Sequence, residues 1–107
     1  MKNKGFYENY TDEPNLTFSF CHSTGAERTF VYSGILDIAI NKDHKAFMIK
    51  HHSTYIIVEG VNLYDLYKDM CKCLATDIKE GKKAVLEGEK FSIITAIKYL
   101  DAVIPKQ

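Results

Sequence analysis

The stretch Thr29-Phe30-Val31-Tyr32-Ser33-Gly34-Ile35-Leu36-Asp37-Ile38-Ala39-Ile40 alternates in character. Phe30, Tyr32, Gly34, Leu36, Ile38 and Ile40 fall on one side, and Thr29, Val31, Ser33, Ile35, Asp37 and Ala39 on the other. A period of two marks a half-buried strand. The segment therefore predicts one long strand with a bulge or bend at Gly34, where no side chain holds the pleat. Upstream, Leu16, Phe18, Phe20 and His22 share one side of another strand, with Thr17, Ser19 and Cys21 opposite, and Ser23-Thr24-Gly25-Ala26 supplies the turn. Downstream, Asn41-Lys42-Asp43-His44 marks a turn before a short strand over 46–49. After His51-His52-Ser53, the β-forming run Tyr55-Ile56-Ile57-Val58 lies within a strand over 54–59. These segments predict an antiparallel meander of about four strands that leaves one face wet.

From Asn62 the period changes. Leu63, Leu66, Tyr67, Met70, Leu74 and Ile78 recur at intervals of three and four, Asp65 sits in the first turn, and Gly81 is placed to end the element. The spacing predicts one helix of about 25 Å, long enough to cover a face of the sheet. Residues 82–86 read as a short strand or extension, broken by Glu87-Gly88-Glu89. Ile93, Ile97, Leu100 and Ile104 keep a helical period up to Pro105, while Phe91, Ile93, Thr95, Ile97 and Tyr99 also alternate. The reading is a second, C-terminal helix, with a further strand as the alternative. The fold class is α+β: an antiparallel sheet of about four strands, one long covering helix and a C-terminal helix. Residues 1–15 read as an arm carrying Phe6, Tyr7 and Tyr10, and residues 16–107 as a single domain.

The 107 residues are 46% hydrophobic and 26% charged, with 14 Lys plus Arg balancing 14 Asp plus Glu. No run approaches the roughly twenty apolar residues of a membrane span, and no signal-peptide core follows Met1-Lys2-Asn3-Lys4-Gly5, so the expectation is a cytoplasmic protein with no membrane partner. Three cysteines cannot all pair within one chain, which argues against a disulfide scaffold. Zero net charge removes the usual electrostatic footprint of a nucleic-acid binder.

Site candidates are weighed by side-chain direction. Cys71 and Cys73, two apart on a helix, point away from each other and cannot share a zinc ion. His51 and His52 face opposite sides of an extended chain, as do Cys21 and His22. Cys21, His22, His44 and His52 remain as the lining of a pocket between sheet and helix. No catalytic, metal or cofactor residue is assigned, because no ligand spacing or glycine-rich phosphate loop accompanies them. Seven tyrosines and six phenylalanines without a tryptophan exceed what one core obviously buries. Tyrosine suits contacts that are part apolar and part wet, so Tyr7, Tyr10, Tyr32 and Tyr55 are the candidate interface residues. The leading expectation is a noncatalytic accessory or interaction domain that self-associates as a homodimer or meets another protein. A small-molecule-binding protein or small enzyme with the histidine-lined pocket is the alternative. A weak single-stranded nucleic-acid binder, with Phe18, Phe20, Phe30 and Tyr32 stacking bases, ranks third.

Overall fold

The structure, a computed structural model, describes residues 14–81 and 93–101, with the backbone alone at 2–3, 8–9, 83–85 and 91–92. Among the described residues ten strands and one α-helix follow in chain order: β1 (Lys2–Asn3), β2 (Glu8–Asn9), β3 (Thr17–Cys21), β4 (Glu27–Val31), a 3-10 turn (Tyr32–Gly34), β5 (Ile35–Ile40), β6 (Ala46–His51), β7 (Thr54–Val61), α1 (Tyr64–Cys71), β8 (Asp77–Lys79), β9 (Lys83–Val85) and β10 (Phe91–Asp101). The larger sheet has the order β5-β6-β7-β10-β9 and is antiparallel throughout. A smaller sheet has the order β4-β3-β8, with β8 parallel to β3, and β1 pairs with β2 apart from both. The chain is α+β with mainly antiparallel pairing, as its alternation implies.

Three expectations are corrected. The run over 29–40 is two strands in two sheets. Its break has a long-range cause: the Tyr32 N–H bonds to the Leu16 carbonyl at 2.9 Å, closing the smaller sheet, and the chain turns so that Gly34 lies under two imidazole rings. A Cβ on Gly34 would sit 2.5 Å from His51 Cε1 and 2.8 Å from His52 Nε2. Gly34 is thus a point of close approach, and the bend expected there becomes a crossing between sheets.

The long helix is also corrected. It stops at Cys71, because Cys73 adopts φ +60°. The Leu74 N–H bonds to Asp69 O at 2.8 Å and the Cys73 N–H to Met70 O at 3.0 Å, the paired closure of a Schellman motif. Asn15 takes up what remains: its backbone N–H and its Nδ2 both donate to Cys73 O, and Nδ2 also donates to Leu74 O. Ile78, read as the helix's last apolar position, is the buried centre of β8.

The C-terminal helix is a strand, β10, paired along β7 and with β9. A bulge between Ile94 and Ala96 sets Ile94 and Ile97, three residues apart, on the same buried face. The stripe of Ile93, Ile97 and Leu100 that suggested a helix does not follow this face, and Leu100 is 56% exposed. Gly60 permits the bulge, since a Cβ there would collide with the Ile93 carbonyl oxygen. Residues 86–90 and 102–107, which carry the expected break and the end of the stripe, lie outside the described residues, as do most of the arm and its Tyr7 and Tyr10.

The core fills the space between the sheets. Phe18, Phe20 and Phe30 project from the smaller sheet, with Phe18 and Phe20 edge-on at 5.6 Å. Phe47, Ile49, Ile56, Val58, Ile94 and Ile97 meet them from the larger sheet, and Leu63, Leu66 and Met70 close one side from α1 and its entry. Non-directional burial of this apolar surface is the main driving force of the fold.

Candidate functional site

The candidate pocket residues do not converge. His44, at φ +59°, occupies the β5–β6 turn, where its ring lies 4.9 Å from that of Tyr64. His52, at φ +50°, occupies the β6–β7 turn. The two turns stand at opposite ends of β6, about 20 Å apart at the usual rise of a strand. Cys21 turns to the outer face of the smaller sheet, where its thiol contacts Glu27 Oε1 at 3.3 Å, and burial followed by that hydrogen bond pushes its pKa up to about 11. Among the described residues no group of three or more His, Cys, Asp or Glu is placed to hold a metal ion.

His22 alone stands in a polar cluster. The backbone beyond β3 presents it to β10, where its Nε2 lies 2.7 Å from the Tyr99 hydroxyl, and its Nδ1 lies 3.8 Å from Glu80 Oε1. Glu80 is tied down on both oxygens. The Ser23 N–H and hydroxyl donate to Oε1 at 3.2 and 3.1 Å, and the Ile97 N–H donates to Oε2 at 2.9 Å. Burial works against its charge, but these donors and His22 outweigh it and hold the carboxyl below its ordinary range. Across the Tyr99 ring lies Arg28, its guanidinium carbon 4.5 Å from that ring's centroid and 4.9 Å from that of Phe30. Burial, opposed by Arg28, pushes the Tyr99 hydroxyl up to about 12. The cluster spans both sheets: Arg28 comes from β4, His22 from the end of β3, Glu80 from the end of β8, and Tyr99 from β10.

His51, weighed with His52 but left out of the pocket residues, is the buried imidazole. It is 7% exposed, packs 4.9 Å from Phe30, and its Nε2 lies 2.7 Å from the Val31 carbonyl. A carbonyl only accepts, so Nε2 carries the proton. The parity of Phe47, Ile49 and His51 on one strand was the available signal, and the ring ties the end of β4 to β6.

A second feature is the outer face of the larger sheet, opposite α1. Its register forms rows: Ala39, Met48, Ile57 and Lys98; Asp37, Lys50, Tyr55 and Leu100; Ala46, Glu59 and Ala96. Leu100 is 56% exposed. On the β5–β6 side of this face the small side chains of Ala39 and Ala46 leave a depression of ≈ 280 Å³, lined also by Asn41, Met48 and Ile57. Lys98 and Glu59 pair across this face at 2.7 Å. Of the candidate interface tyrosines, Tyr55 is half-buried on this face. Tyr32 is 7% exposed, and its hydroxyl donates to the Ala75 carbonyl at 2.6 Å. Phe18, Phe20 and Phe30 are core residues, so the stacking surface considered for nucleic acid is internal. No helix among the described residues is long and apolar enough to cross a membrane. Comparison with protein-family models, curated proteins and solved structures returns no match to this chain.

Proposed function

We propose that the protein is a noncatalytic interaction domain whose partner is a second copy of itself, docked through the open face of the five-stranded sheet. The observation that carries this reading is the coexistence of a knob and a hole on one face. Leu100 stands out beside Tyr55, while Ala46 and Ala39 leave the depression two and three strands away. A twofold axis lying between the two features sets each copy's Leu100 over the other's depression, the self-complementary arrangement that a closed dimer requires. The face carries both signs, Asp37 and Glu59 with Lys50 and Lys98, so it presents no net charge against a second copy. Dispersal of His22, His44 and His52 over separate turns favours this reading over a histidine-lined catalytic pocket. Assignment to the reducing cytoplasm belongs to the same proposal and agrees with the three free cysteines.

Light scattering over a range of concentrations tests the pairing. The expected mass rises from 12.2 kDa toward twice that value, and Leu100→Asp, which sets a charge into the apolar contact, returns it to one chain with the thermal midpoint of the dilute protein unchanged. A mass that stays at 12.2 kDa at every concentration refutes the proposal.

A further inference from the structure

Arg28 is the chain's single arginine. Its position two residues before Phe30 on β4 aims it to the core-facing side, at the free edge of the smaller sheet, where it covers the Phe30 and Tyr99 rings. Those rings lie 6.0 Å apart and within 30° of parallel, so together they form a floor under the guanidinium. Arg28 is exposed and, among the described residues, pairs with no carboxylate. The acid of the cluster cannot swing across to it, because Glu80 is fastened by Ser23 and Ile97. A guanidinium held on two rings loses less freedom on binding than a loose one, and its fork offers two parallel N–H donors to two oxygens of one anion.

We propose that the Arg28–Tyr99 corner binds a tetrahedral oxyanion, inorganic phosphate or the terminal group of a phosphate monoester, and that a proton on His22 strengthens the binding. A tetrahedral group presents a third oxygen, and Tyr99 is the donor placed for it. When His22 is neutral with its proton on Nδ1 toward Glu80, Nε2 accepts the Tyr99 O–H, and the hydroxyl has no hydrogen for a ligand. Protonated His22 donates from Nε2 to the Tyr99 oxygen instead. The phenolic hydrogen is then released toward the Arg28 side, and a second positive charge stands behind it. The groups facing His22 among the described residues are Tyr99 from β10 and Glu80 after β8, with Arg28 beyond the Tyr99 ring from β4. Cys21, Glu27, Asp77 and Lys79 lie on the other face of the smaller sheet. A carboxylate, with two oxygens, uses the Arg28 fork and leaves the Tyr99 donor idle.

A single arginine yields one Nε–Hε signal in a proton–nitrogen NMR spectrum, so the full chain reports its own site. Sulfate, dianionic throughout the range, is titrated at about pH 8 and about pH 5.5. The expected result is a saturable shift of that signal, with sulfate bound at least about threefold more tightly at the lower pH and acetate showing no such gain. Tyr99→Phe keeps the ring floor and is expected to match the wild type at the higher pH while losing most of the gain at the lower. Arg28→Lys, followed through the Tyr99 ring signals, is expected to weaken sulfate about tenfold. Parallel titrations with inorganic phosphate and O-phosphoserine separate the sources: tighter binding of the amino acid assigns the site to a monoester, and equal or weaker binding to the free anion. Absence of a saturable shift at Arg28 overturns the proposal, and so does an acid gain as large in Tyr99→Phe as in the wild type.

Discussion

Tyr32→Phe separates the two roles a tyrosine at this position can have. The Tyr32 hydroxyl donates to Ala75 O at 2.6 Å, within a buried region that also includes the Met70 sulfur at 4.0 Å. Ala75 is fully buried and belongs to no helix or strand, and its carbonyl has no other partner among the described residues. Removing the oxygen leaves the ring in place against Phe18, whose centroid is 4.6 Å away. The packing survives and only the hydrogen bond is lost. An orphaned buried carbonyl costs about 1–3 kcal/mol, which for a domain near this size lowers the thermal midpoint by about 4–15 °C. Circular-dichroism melts together with urea unfolding measure this, the urea slope reporting whether the denatured state has changed. Light scattering on the same samples should give the wild-type mass. A midpoint within about 1 °C of wild type, or a change of mass at unchanged stability, would refute the assignment of Tyr32 to the core.

Two further outcomes follow from named contacts. Gly60→Ala pushes a Cβ into the Ile93 carbonyl oxygen and to within 3.1 Å of Ile94 Cα; strand backbone cannot step aside as a side-chain tip can, so urea unfolding should register a loss of about 1–3 kcal/mol, and a neutral effect would mean that β10 does not approach β7 this closely. The second concerns alkali: Cys21 is pushed from 9.0 to about 11 and Tyr99 from 10.0 to about 12, both chiefly by burial. The unfolded chain releases these protons first, so stability is fully present below about pH 9 and falls between there and about pH 12 as the native state retains protons the unfolded state has lost. Urea midpoints at intervals across that window should decline, and a rise would contradict the burial of both groups.

How far the sequence predicts this fold depends on whether local pattern or long-range geometry governs each element. Alternation located β3, β6 and β7 because each has one face on the core, and Phe18, Phe20, Phe47, Ile49, Ile56 and Val58 bury as their parity implies. The division of 29–40 between two sheets was hidden, since a strand that changes sheets keeps its alternation across the crossing. Only Gly34 hinted at it, and the rings that demand the glycine come from His51 and His52, seventeen or more positions away. β10 was ambiguous because its apolar residues fit both periods, and the bulge that sets Ile94 and Ile97 on one buried face left no sign in either pattern. Of the site, His22 was visible as a candidate, but Tyr99, Glu80 and Arg28 were not its evident partners. They reach it only through the packing of β10 and β8 against the end of β3, and no spacing along the chain encodes that.

The end of α1 exposes the same division, and a pair of substitutions tests it. Sequence spacing carries the helix through Leu74 and Ile78, with Gly81 as its stop; the backbone instead leaves the helix at Cys73 in the left-handed region, φ +60°. No glycine marks the spot, so the stop had no local signal, and it persists because Asn15 and the Leu74 and Cys73 N–H groups satisfy the backbone there. Cys73→Ala and Cys73→Gly remove the same thiol and differ only at the backbone. Inside a continuous helix Gly is worse than Ala by about 1 kcal/mol. At a left-handed position the Cβ is the liability, costing about 1–2 kcal/mol, and the glycine variant, after its greater unfolded-state entropy is deducted, should equal or exceed the alanine variant. The two geometries therefore predict opposite orders for one measurable difference. Urea unfolding of both proteins at equal slopes gives that order directly. An alanine variant more stable by about 1 kcal/mol would restore the long helix and remove the Schellman closure, and with it the reason that Ile78 is free to run beside β3 and bring Glu80 to His22.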